Sequence, residues 1–144
     1  MTTRWLVAMA AGLALAGCQA DRATAEPAAF DLNQVFTLGG GRDASINGED
    51  LRLHFADVLE DSRCPERVEC FWTGQARVAI VADSDRGEPD TMEFNTNPAP
   101  GQTISMVRAG DYTVEMRSLE PYPQTPDQPI ELPEYRVTLR VTKG

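Results

Sequence analysis

Histidine is nearly missing: His54 stands alone among 144 residues. Zinc needs four converging nitrogen or sulfur ligands, or three with an open position, so one imidazole on the polar face of an expected strand reads as a solvated side chain and argues against a metal site. Cysteine is scarce as well, with Cys18, Cys64 and Cys70 the whole set. Five residues separate Cys64 from Cys70, not the two of thioredoxin-like motifs, and no helix N-terminus is at hand to stabilise a thiolate, which argues against redox catalysis. No nucleophile-elbow sequence is present, and carboxylates are too numerous for any pair to stand out as catalytic. Asp83-Ser84-Asp85-Arg86-Gly87-Glu88 with Asp90 alternates oxygen ligands as a calcium loop does, but Gly87 and Phe94 occupy its fifth and twelfth positions. An acidic hairpin tip explains the segment as well, and no cofactor is expected.

Cations are also few. Lys and Arg number 13 against 22 Asp and Glu. A chain so acidic repels phosphate backbones and anionic head groups, which argues against nucleic-acid binding and against membrane adhesion through basic patches. Beyond the first 17 residues no segment longer than about ten residues keeps the apolar stripe of a helix.

What the chain does have begins at its start. An uncharged run from Trp5 to Leu15 follows Arg4 and ends in small residues, the layout of a secretory signal, and it is too short to span a bilayer. Leu15-Ala16-Gly17-Cys18 resembles the lipobox of bacterial lipoproteins. The resemblance implies cleavage before Cys18, a diacylglyceryl group on its sulfur, palmitate-type acylation of the new N-terminus and attachment to a membrane through lipid. Gln19, in place of the aspartate that marks inner-membrane retention, implies by the same analogy the periplasmic face of the outer membrane; a Gram-positive cell surface stays open. Loss of residues 1–17 removes one cation, Arg4, and leaves 12 against 22 acidic residues, a balance of −10. With Cys18 taken by lipid, Cys64 and Cys70 are the remaining pair and should be joined in an oxidising compartment, contributing roughly 2 kcal/mol by the loop-entropy model.

The domain plan is then a signal over 1–17, the lipidated cysteine with a flexible tether over 18–33, and one domain over 34–144. The tether is alanine-rich and without apolar periodicity, and as a coil it reaches on the order of 20 Å; an amphipathic first helix is the alternative. About 110 residues are enough for one core and too few for two.

In the domain the period is two. Tyr135, Val137, Leu139 and Val141 alternate with Arg136, Thr138, Arg140 and Thr142, as Leu51, Leu53 and Phe55 do with Arg52 and His54, and Tyr112, Val114 and Met116 with Thr113, Glu115 and Arg117. Gln75–Ala82 is more continuously apolar, as a central strand is. Shorter strands are expected over Gln34–Leu38, Met92–Phe94 and Thr103–Val107, about seven in all. Asn47-Gly48, Asp85-Arg86-Gly87 and Ala109-Gly110-Asp111 supply hairpin turns. The pattern predicts an all-β, antiparallel, immunoglobulin-like β-sandwich, with a partly open barrel as the alternative.

The least generic stretch is Asp61-Ser62-Arg63-Cys64-Pro65 followed by Cys70-Phe71-Trp72-Thr73-Gly74. With Leu119-Glu120-Pro121-Tyr122-Pro123 and Tyr135-Arg136-Val137 it resembles a family of uncharacterised bacterial secreted and lipoprotein β domains, over most of 34–142. That resemblance implies no activity. The residues themselves read as a cross-linked corner in which Trp72 packs on the disulfide, Gly74 permits a close approach and Asp61 bonds loop donors or pairs with Arg63. The functional alternative makes it a presented loop with Arg63 and Trp72 as anchors. Pro121 to Pro133 holds five prolines around Tyr122 and reads as a rigid crossover or as a preorganised recognition loop. The expectation is therefore a noncatalytic binding or structural module, its partner an envelope protein or a cell-wall polymer. A periplasmic enzyme inhibitor and a hydrolase using dispersed carboxylates are the alternatives.

Overall fold

A computed structural model describes residues 26–97 and 105–144. The expected β-sandwich forms: the chain is all-β, with nine strands in two sheets among the described residues. One sheet orders β1 (Ala28–Phe30), β3 (Asp43–Ile46), β4 (Arg52–Asp61), β5 (Ala76–Asp83) and β6 (Asp90–Asn95) side by side. The other orders β2 (Val35–Gly39), β9 (Arg136–Lys143), β8 (Tyr112–Glu120) and β7 (Met106–Ala109). An immunoglobulin domain divides its strands through Greek-key crossings; here consecutive hairpins build β3-β4-β5-β6 in one sheet and β7-β8-β9 in the other. All pairings are antiparallel except β1 on β3.

Alternation decides the layers. Val137, Leu139 and Val141 of β9 are fully buried against Val78, Ile80, Phe55 and Phe94 of the opposite sheet, each such side chain contributing about 1.5–3 kcal/mol by leaving water. Turns fall where glycine permits positive φ, as at Gly48 (72°) and Gly110 (60°).

Two strands escaped the sequence pattern. β1 lies inside the stretch read as tether, and the tether reading is corrected there: Phe30 stacks on Phe36, ring centroids 4.2 Å apart, and its carbonyl accepts the Asn47 N–H at 2.8 Å. One aromatic docks a segment too short to show a period. β3 is only four residues long, Asp-Ala-Ser-Ile. The strand expected over Thr103–Val107 lies at Met106–Ala109, with residues 103 and 104 outside the described range.

Candidate functional site

The corner joining β4 to β5 is where the sequence departs most from generic β structure, and irregular pairing prepares it. Register slips between Phe55 and Asp57 and again between Val58 and Glu60. Each β-bulge adds one unpaired residue and turns the following side chains to the other face. Thus Phe55, Val58 and Asp61 stand opposite the inward-facing Ile80, Val78 and Ala76, while Leu59 is left 47% exposed. Strict alternation would have sent Leu59 inward.

Asp61 therefore points a carboxylate at the end of the core, where Arg63 meets it. The guanidinium donates from Nε to Oδ1 at 2.8 Å and from Nη2 to Oδ2 at 2.7 Å. Nη1 donates to the Leu119 carbonyl at 2.6 Å and Nη2 to that of Pro121 at 2.7 Å. The Tyr135 hydroxyl donates to Asp61 Oδ2 at 2.8 Å, and the Tyr122 ring covers the guanidinium, its centroid 4.3 Å from Cζ. One arginine, only 3% exposed, so ties the end of β4 to the end of β8 and, through Asp61, to the chain entering β9. Burial pushes the Asp61 carboxyl up, but the hydrogen bonds from Arg63 and Tyr135 and the Arg63 charge outweigh it and hold the group below the ordinary carboxylate range. Burial, and then the bond to Asp61, push the Tyr135 phenol above its usual value.

Beyond Arg63 the hairpin continues, Ser62 N–H to Gln75 O at 2.7 Å and Cys64 N–H to Thr73 O at 2.9 Å. Gly74 closes it with φ of 69°, and a Cβ there would overlap the Ser62 carbonyl. Asn97 Nδ2 donates to Thr73 Oγ1 and Gly74 O. Cys64 and Cys70 are joined, with Cα atoms 5.9 Å apart. The proline-rich crossover seats against this loop: Glu66 N–H donates to Pro123 O at 3.0 Å and Gln124 Nε2 to Glu66 Oε2 at 2.6 Å. Between them lies a cleft of about 580 Å³ lined by Val58, Leu59, Val68, Ile130 and Leu132 among others.

The sequence-derived residues separate into two groups. Arg63 is corrected from a surface anchor to a buried clasp, because its donors are spent on Asp61 and two carbonyls. Trp72 is not buried on the disulfide: it is 64% exposed, beside a Phe71 that meets no packing at all. Tyr122 is 42% exposed, with the Arg63 guanidinium over its ring. The corner and the crossover, read as separate candidates, meet along one cleft, which the exposed Val68 and Leu59 also line. Sequence reasoning missed Phe71 as a surface residue and Leu59 altogether; no residue signal marks a bulge. Cys18 lies outside the described residues. His54 is half-exposed, its Nδ1 2.9 Å from Asp43 Oδ1.

At the opposite end a second cavity of about 530 Å³ lies between the β3–β4, β5–β6 and β7–β8 turns. Its wall is held by Glu49 Oε2, which accepts from Lys143 Nζ at 2.6 Å and the Tyr112 hydroxyl at 2.8 Å. These bonds, Lys143 first, lower the Glu49 pKa. The acidic hairpin tip borders this cavity, and Asp85 N–H donates to Asp50 Oδ1 at 2.9 Å.

Comparison with protein-family models, with curated proteins and with solved structures finds no match to the chain.

Proposed function

We propose that this is a lipid-anchored, noncatalytic envelope protein that docks another envelope protein through the Cys64–Trp72 corner. The reading rests chiefly on one observation: Phe71 and Trp72, adjacent in sequence, are both exposed to solvent on a loop fixed by a disulfide, by Gly74 and by the Arg63 clasp. Protein interfaces draw most of their energy from a few aromatic anchors, and rigidity reduces the entropy lost on docking. Val68, Leu59 and Tyr122 are further exposed apolar side chains of the corner, of β4 and of the crossover that seats against the corner. The anchor itself is inferred from the lipobox at Cys18.

A photoreactive amino acid placed at Phe71 in the full-length protein, on native membranes, should trap a discrete adduct that the same probe at Arg52 does not. Adding Trp72→Ala should weaken trapping severalfold with folding unchanged. Absence of any specific adduct at Phe71 would end the docking proposal. Separately, Cys18→Ser should move the protein from the membrane to the soluble fraction, and a mass of the native product without lipid would end the anchoring proposal.

A further inference from the structure

Net charge conceals a segregation of charge between the two outer faces of the sandwich. Register places Arg136 opposite Glu120, Arg140 between Val35 and Glu115, and Arg108 opposite Thr113 on the outward side of the β2-β9-β8-β7 sheet. Arg117, in the β8 bulge, joins them by donating to Glu115 Oε1 at 2.8 Å, while Arg140 Nη2 lies 2.9 Å from Glu115 Oε2. Four arginines thus face two glutamates. Arg108 and Arg136 are exposed and take part in no ion pair among the described residues. The outward face of the other sheet is the reverse, with Asp43, Asp57, Glu60, Asp83 and Glu93 against Arg52 and Arg77.

We infer that the cationic face binds an anionic glycan carrying carboxylates. Two further features choose that ligand. Between the arginines stand Thr37, Thr138 and Ser118 in one row and Thr142 and Thr113 in another, hydroxyls that match the donors and acceptors of a sugar chain. The centre of the face offers no aromatic or aliphatic anchor, the apolar Val35 and Met106 lying on its two edge strands, so it lacks the core that a protein interface is built around. Arginine's planar fork fits carboxylate in two-pronged fashion. The acidic groups of the other sheet lie on the opposite outer face, at least one sheet spacing of about 10 Å away, so they oppose the attraction less than charges on the same face would.

The test uses the full-length chain in neutral detergent and polygalacturonate as probe, with the fully methyl-esterified polymer and poly-L-glutamate alongside. Polygalacturonate should bind, more weakly as salt rises, and the other two should not. Arg108→Gln with Arg136→Gln should weaken binding about tenfold or more. Lysine at both positions should restore most of it, and Arg52→Gln should leave it unchanged. Phe71→Ala with Trp72→Ala should also leave it unchanged, so this site and the docking corner stand or fall separately. Equal binding of the methyl ester or of polyglutamate, no binding of polygalacturonate, or indifference to the arginine pair would overturn the proposal. So would self-association of the protein that the arginine pair abolishes, which would assign the face to a second copy.

Discussion

Asp61 and Arg63, two positions apart in sequence, form a two-pronged ion pair at 2.8 and 2.7 Å with side chains 9% and 2% exposed. Removing one partner of such a pair leaves a buried charge without compensation, which costs about 3–5 kcal/mol. Arg63→Ala should therefore lower unfolding stability by about 3 kcal/mol or more, and Arg63→Met with Asp61→Asn should lower it less than Arg63→Ala alone. Urea unfolding of the three variants decides it. Equal losses in all would mean that packing, not charge, carries the clasp.

The clasp also sets a pH window. Asp61 titrates lower in the folded protein than in the unfolded chain, whose carboxyl ionises near about 3.9. Its contribution is thus fully present above that pH and is lost as pH falls through the lower folded value. Tyr135 is shifted the opposite way, so its contribution is complete below about pH 10, the usual phenol value, and declines as pH rises beyond. Asp61→Asn should flatten the acid limb of the stability curve. A variant curve parallel to wild type from pH 2 to 5 would refute the assignment.

Glycine at position 74 meets two constraints where Gly110 meets one. Both have positive φ, but a Cβ on Gly74 would strike the Ser62 carbonyl whereas one on Gly110 would meet open space. Gly110→Ala should cost about 1 kcal/mol and Gly74→Ala at least about twice that. Thermal midpoints of the two variants give the comparison, and equal losses would show that the corner relaxes.

Bulge geometry makes Leu59 an outside residue and its neighbour Val58 an inside one. Leu59→Glu should change stability by no more than about 0.5 kcal/mol, while Val58→Glu should cost several times as much. The reverse order would mean that β4 runs without its register slips.

Opening the disulfide separates rigidity from fold. Serine at Cys64 and Cys70 should lower stability by roughly 2 kcal/mol, the loop-closure value for so short a ring, and should reduce trapping at Phe71 by more than that loss of folded protein accounts for. Unchanged trapping would show that the loop does not need its cross-link to dock.

Sequence reading reached the layers of this fold because Val137, Leu139 and Val141 declare their face by alternation, and because glycines at 48 and 110 mark turns. It reached the Asp61–Arg63 pairing through proximity in the chain. Tyr135 and the carbonyls of Leu119 and Pro121 were beyond it, since these partners lie 56 to 74 residues away and only the returning β8 and β9 bring them in. The charged face was hidden for a related reason. A net balance sums Arg108, Arg136 and Arg140 with every acid in the chain, and only register shows which side of which sheet each occupies.

Past Phe55 no described strand lies on the β3 side of β4, yet the Val58 N–H is already taken by the Asp57 carboxylate at 2.8 Å. Where many copies crowd together, a bare strand margin invites neighbours to zip together into ribbons. Here the margin is crimped by two bulges and one of its donors is capped by its own acid, two devices that blunt a strand edge against pairing with another chain.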